Sequence, residues 1–136
     1  MQHHASCAAR LGLGVLLIGP PGSGKYDLVL RLLDHGFELV ADDRVEIEGG
    51  IASAPAALAG LLEVRGLGIL RLPYRPSAKL VLVVALGRAE RMPEPQTHLA
   101  LPLVWVDPAQ SSAPLRITAA MRCAMGEIEL LAGAFA

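Results

Sequence analysis

Gly19-Pro20-Pro21-Gly22-Ser23-Gly24-Lys25 is the stretch of this chain best suited to grip an anion. Its glycines let the backbone wrap so that several N–H groups point inward at one anion. Lys25 adds a full positive charge that can reach outer phosphates. An apolar run, Gly14 to Ile18, precedes it, and a helical pattern of Leu28, Leu32 and Leu33 follows. Strand, glycine loop, lysine and helix together make the setting of a phosphate-binding P-loop, with the helix start contributing its positive dipole end. A plain Gly/Pro turn would need no lysine there. The residue after the lysine is usually Ser or Thr, whose hydroxyl ligates Mg2+. Here it is Tyr26. A phenol oxygen sits roughly 6 Å from its own Cα and cannot replace a seryl oxygen. The loop is expected to hold phosphate, with its metal shell one protein ligand short.

Acidic and basic residues that could work beside such a loop lie in three places. Asp42 and Asp43 end a predicted strand, Glu38 to Ala41. In open α/β sheets ligands bind outside the carboxyl ends of strands, so this pair is expected on the loop's rim. One carboxylate could take a proton from an attacking hydroxyl and the other could hold a metal; alternatively the pair is a solvated strand end. Glu63 and Arg65 flank Val64. Two residues apart on an extended segment, they point the same way, as a metal carboxylate and a phosphate-binding or carboxylate-clamping guanidinium, or as a surface ion pair. Arg91 lies in a polar loop and could supply charge to a transferring phosphoryl group, or be solvated. His4, near the start, could donate a hydrogen bond to a phosphate or be structural.

Length and composition narrow the classes. The chain has 136 residues, 53% of them hydrophobic, enough for one domain (1–136) with a full core. The longest clean apolar run, Leu80 to Leu86, suits a strand and falls short of the ~18 residues of a membrane span. No secretory signal is evident. Net charge is −1 and no Lys/Arg block stands out, which argues against nucleic acid or membrane surfaces as partners. One Trp, two Tyr and two Phe make a stacking platform for bases unexpected. Cys7 and Cys123 lack metal-type spacing and read as buried thiols in a reducing cytoplasm.

The elements that must position these residues follow from pattern. Strands are predicted over His4–Ala9, Gly14–Ile18, Glu38–Ala41 and Lys79–Leu86, with a hairpin of Val45–Glu48 and Ile51–Ala54 around Gly49-Gly50. Gly36 ends a helix over Lys25–His35. Glu63 to Ile69, with two glycines, reads as a tight specified backbone rather than a regular element. Pro102 divides Leu99–Leu101 from Leu103–Val106, which suggests an edge or bulge. Ser112 is placed to cap a helix over Pro114–Ala124, with Leu115, Ile117, Met121 and Met125 facing inward. Glu127 to Ala136 reads as a frayed helix or a tail. The fold class is α/β, a P-loop domain with a mixed central sheet and extra hairpin strands.

Three motifs in order carry a resemblance: the glycine loop, Leu39-Val40-Ala41-Asp42-Asp43-Arg44, and Leu62-Glu63-Val64-Arg65-Gly66-Leu67-Gly68-Ile69. Together they resemble the C-terminal catalytic domain of the HPr kinase/phosphorylase family, over the first half of the chain. Lack of that family's separate N-terminal domain is similar to short proteobacterial forms. The resemblance implies that Gly19, Pro20, Pro21, Gly22, Ser23, Gly24, Lys25 and Tyr26 hold ATP, and that Asp42 is the base toward a substrate serine and the acid in phosphorolysis. It makes His4 a catalytic histidine, Glu63, with Asp43, a Mg2+ ligand, Arg91 an active-site arginine, and Arg65 and Gly66 signature residues. It implies a cytoplasmic protein-serine kinase, using ATP and Mg2+, acting on HPr or a close relative, and a homo-oligomer, a hexamer. Two features depart from it: Tyr26 stands where serine completes the Mg2+ site, and Asp107 to Ser112 lacks the basic loop tied to phosphorolysis. Two other readings stand beside it, a nucleotide-sensing regulator with little catalysis and a small-molecule kinase.

Overall fold

The computed structural model describes all residues, Met1–Ala136. Eleven strands and two helices follow in order: β1 (Gln2–His3), β2 (Ser6–Arg10), β3 (Leu13–Ile18), α1 (Lys25–Asp34), β4 (Glu38–Ala41), β5 (Val45–Glu48), β6 (Ile51–Ser53), β7 (Leu61–Val64), β8 (Gly68–Arg71), β9 (Ala78–Leu86), β10 (Thr97–His98), β11 (Leu101–Val106) and α2 (Ala113–Ala124). The main sheet has the order β1-β5-β6-β9-β3-β2-β4, and β11 joins it beside the second half of β9. It is mixed: β3, β9 and β11 run parallel, and the remaining pairs are antiparallel. No helix is long and apolar enough to cross a membrane.

That strand order cannot lie flat. β4 and β5 sit five strand spacings apart along the sheet path, yet only Asp42, Asp43 and Arg44 connect them. Five spacings of a flat sheet span roughly 24 Å. Four Cα–Cα steps reach at most about 15 Å. The sheet therefore curls until its two ends meet, and one buried cluster joins Val40 of β4, Val45 of β5 and Ala52 of β6 to Cys7 and Leu16 of the middle strands. The short acidic link crosses this seam.

The outer face of the sheet packs against both helices. Val15, Leu17, Leu82 and Val84 meet Leu28, Val29 and Leu32 of α1 and Ile117 and Met121 of α2 in one cluster. Strands buried on both faces read as continuous apolar runs, as β3 and β9 do. Helix α1 ends in a Schellman motif: Phe37 N–H donates to Leu32 O at 3.1 Å and Gly36 N–H to Leu33 O at 3.4 Å, with Gly36 at φ 86°.

Six expectations need correction. Glu63 to Ile69 is regular after all: it forms the β7–β8 hairpin, with Leu67 N–H on Val64 O at 3.0 Å and Gly66 at φ 85°, a type II turn that needs glycine at its third position. Strand β11 runs unbroken through Pro102, because the neighbouring Leu103 N–H, not a proline nitrogen, makes the bond to Gln96 O across β10. Leu99 and Ala100, at φ 53° and 60°, are the turn before it and not a strand. On α2, Ile117 and Met121 are buried one turn apart, whereas Leu115 points away and Met125 lies past the helix end, 61% and 43% exposed. Ser112 sits at the N-cap but its hydroxyl accepts from Arg116 Nε at 2.9 Å and caps no backbone amide. Cys7 is buried as expected and Cys123 only half so. Glu127 to Ala136 is a non-helical tail that packs back, Gln96 N–H donating to Ala134 O at 3.1 Å.

Gly60 sets the start of β7 and so the placement of Glu63. Its φ is 77°, and a Cβ there would lie 2.9 Å from Leu72 O, a backbone atom with nowhere to go. Gly60→Ala is expected to lower stability by about 1–3 kcal/mol, read as a drop in urea midpoint.

Candidate active site

Chain direction brings the loop and the acidic link to one end of the sheet. Lys25, Gly22, Gly24, Pro21 and Tyr26 line one wall of a hollow of about 190 Å3; Ser6, Asp42, Asp43 and Glu63 line the other. The loop follows β3, and Asp42 follows β4, two strands away across β2. The curl of the sheet and the β7–β8 hairpin close the remaining side.

The loop wall is cationic. Lys25 is 7% exposed, and its Nζ donates to Gly19 O at 2.7 Å and Pro20 O at 3.3 Å. Its partners are carbonyls rather than a carboxylate, so the ammonium keeps its net charge in a poorly solvated position that an anion would relieve. Gly24 opens α1 at φ 99°, a left-handed turn that aims the first helix amides at the hollow. Ser23 Oγ is buried without a hydrogen-bond partner. A native orphan hydroxyl of this kind asks for a ligand, and inside a loop of amides an anionic oxygen is the acceptor that fits. Pro108 closes over Gly24, and Arg31 donates to Pro108 O and Gln110 O, so Asp107 to Ser112 braces the loop from outside.

The acidic wall is set by one hydroxyl. Ser6 is fully buried; its Oγ donates to Asp42 Oδ1 at 3.1 Å and accepts from the Asp43 N–H at 3.0 Å. Asp43 is held at φ 66°, uncommon for a residue with a Cβ, and Arg44 N–H reaches back to Asp42 O at 2.8 Å. Burial raises the Asp42 pKa above the usual carboxylate range, helped by the negative charges of Asp43 and Glu63; hydrogen bonds from Ser6 and the Glu63 amide oppose the rise. His4 stands on the rim, its Nδ1 3.4 Å from Asp43 Oδ1.

The structure thus brings Lys25 and its loop, Tyr26, Asp42, Asp43 and Glu63 together, with His4 against Asp43. Two expected residues behave otherwise. Arg65 does not clamp Glu63: its guanidinium lies 5.7 Å over the Tyr26 ring, because it sits in the hairpin turn beyond the end of β7. Tyr26 itself packs on the helix-side core, so the aromatic ring acts as a shelf for that arginine. Arg91 stands off the hollow: its loop leaves β9 toward α2 and the tail, and it lines a groove with Met92, Cys123 and Phe135. Ser6 escaped notice in the sequence, where only its polarity within the apolar run Ala5 to Ala9 could have signalled it. The three carboxylates share the hollow without converging as a ready ligand set for a metal. Their all-oxygen chemistry suits Mg2+, which is commonly held by one or two carboxylates plus substrate phosphates.

Comparison with known proteins agrees with this geometry. The family model described as HPr Serine kinase C-terminal domain matches residues 1–92. The HPr kinase/phosphorylase of Clostridium tetani is 50% identical over 66 residues, covering 46% of this chain and 22% of that protein. That of Listeria monocytogenes is 44% identical over 87 residues, 55% of this chain and 28% of that protein. The chain therefore matches about a quarter of the length of these relatives. The structure described as the Hpr(Ser) kinase/phosphatase from Coxiella burnetii superposes with a TM-score of 0.76 at 26% identity, over 96% of this chain and 99% of that one.

Two tests follow from the acidic wall. Asp42 has a folded pKa above its unfolded one, so the folded state holds the extra proton, and stability falls as pH rises through the gap between them. Asp42→Asn is expected to unfold at a higher urea midpoint than the native chain at pH 7, with the gain shrinking below the ordinary carboxylate range; parallel urea titrations at pH 3 and pH 7 read it. Ser6→Ala strands the Asp43 N–H and one Asp42 oxygen, and is expected to cost about 1–3 kcal/mol in the same assay.

Proposed function

The chain belongs to the family of HPr serine kinase C-terminal domains, and from that membership we propose that it transfers the terminal phosphoryl group of ATP to a serine of HPr or an HPr-like phosphocarrier in the cytoplasm. The single observation that carries this reading is the shared hollow, with a buried ammonium and loop amides on one wall and Asp42 on the other.

The chain's own residues can perform the step as follows. The loop amides and Ser23 Oγ hold the phosphates, drawing Lys25 Nζ off the carbonyls of Gly19 and Pro20. Asp42 accepts the proton of the serine hydroxyl as that oxygen forms its bond to the γ-phosphorus and the bond to the β,γ-bridging oxygen breaks, releasing ADP. Its raised proton affinity brings it closer to the range a general base needs near neutrality. Mg2+, with Glu63 and Asp43 as its protein ligands, supplies neutralising charge to the phosphate oxygens when bound. His4 donates to a phosphate oxygen from the rim, and Arg65, carried on Tyr26, adds positive charge to the hollow's edge. In the reverse direction a protonated Asp42 returns the proton to the serine oxygen as the phosphoryl group leaves for inorganic phosphate. The same family likeness supports a homo-oligomer, a hexamer, as the working form.

The test is incubation with labelled ATP, Mg2+ and purified HPr, followed by identification of the labelled residue. Label on a serine is expected from the native chain. Asp42→Asn is expected to lose roughly 100- to 10,000-fold in rate with nucleotide binding retained. Tyr26→Ser removes the shelf under Arg65 while adding a hydroxyl ligand, and rescue of a silent native chain by this change would favour the regulatory sensor. Nucleotide binding with no transfer by the native chain would favour the regulatory sensor, and transfer to free serine or a sugar alone the small-molecule kinase.

A further inference from the structure

A second cleft, of about 440 Å3, begins at the other side of the same loop. Gly19 and Pro20 form its near end, the ends of β3 and β9 its floor, and Thr97, His98 and Trp105 its far wall. It lies outside the carboxyl ends of parallel strands, where open α/β sheets take their ligands. It is opposite the acidic hollow: one opens toward β2 and β4, the other toward β9 and β11.

Trp105, the chain's one tryptophan, lines this cleft from edge strand β11 and is 44% exposed overall. Its indole is held at two points. Nε1 donates to Gln96 Oε1 at 3.0 Å. The six-membered ring lies against Gly87, where a Cβ would come within 3.0 Å of Cζ3 and 3.2 Å of Cε3. Gln96 is itself fixed on both backbone sides, its N–H on Ala134 O and its carbonyl accepting from Leu103 N–H, each at 3.1 Å. Because the indole N–H takes the amide oxygen, the Gln96 NH2 is left as a free donor beside the ring. A rigid aromatic face with one amide donor beside it, one loop away from a phosphate grip, is a site for a heteroaromatic base.

We propose that Trp105 stacks the purine base of the bound nucleoside triphosphate, with the Gln96 amide donating to a ring nitrogen. This rests on the loop being a nucleotide site, as proposed above, and adds which part of the chain recognises the base. It reverses, for one base, the expectation that so few aromatics leave no stacking surface. It also gives the tail a purpose: Ala134 pins the loop that pins the indole.

The experiment compares ATP with inorganic tripolyphosphate, which carries the charge without the base. The single tryptophan makes the native chain's emission a direct report. ATP is expected to quench it saturably; tripolyphosphate is expected to bind by calorimetry and to leave the emission largely unmoved. Trp105→Ala and Gly87→Ala are expected to weaken ATP roughly 5- to 150-fold while tripolyphosphate binding stays within about twofold, and Trp105→Phe to recover most of the loss. ATP binding with unchanged emission and full affinity in Trp105→Ala would overturn the base site and leave the phosphate loop standing. Binding of neither compound to the native chain would remove the nucleotide reading and this proposal together.

Discussion

Three residues, Asp42 to Arg44, cannot span a flat sheet of this strand order, and much of the molecule follows from that constraint. To join β4 to β5 the sheet must curl, and its inner face becomes the second buried cluster. The link itself is strained, with Asp43 in a left-handed conformation that costs of order 1 kcal/mol or more. Such strain persists where surroundings over-determine it. Here the Ser6 hydroxyl does so, bridging the Asp42 carboxylate and the Asp43 amide. Fold closure and the orientation of the candidate base thus rest on the same short segment.

Charge is arranged around that segment in opposed walls. Lys25 is buried among carbonyls and Asp42 is partly buried beside two other carboxylates, so neither has a counter-ion in contact. Bringing them into contact would stabilise the chain but quench the site. The tight loop and the Ser6 bridge hold them on separate walls, with space for a phosphoryl group between. Tyr26 fits this picture better as packing than as a failed ligand. Its ring anchors on the helix-side core and presents Arg65 at the rim, so a position that usually serves the metal here serves the placement of a cation.

The family match ends at Met92, and the structural likeness continues to nearly the whole chain. Residues after Met92 build β10, β11, α2 and the tail. They brace the phosphate loop through Pro108 and Arg31, and they hold Trp105 over the second cleft. All the residues that line the shared hollow lie inside the stretch the family model matches, and the later residues support it from outside.

Much was legible in the residue order alone. A glycine loop between an apolar run and a leucine-patterned helix is a local arrangement, so the strand, the loop, Lys25 and α1 follow from propensity, and Gly36 marks the helix end because only a left-handed residue closes it. The Asp42-Asp43 pair and the Gly49-Gly50 hairpin are local for the same reason. Ser6, the Arg65–Tyr26 stack, Arg91's departure from the hollow and the cleft under Trp105 were decided by tertiary structure. Each depends on which distant segments meet when the sheet curls, and contacts between residues 36 or more apart, such as Ser6 with Asp42, leave no period or spacing in the chain. The residue types that could do chemistry are written locally; which of them face one another is set by the closure of the sheet.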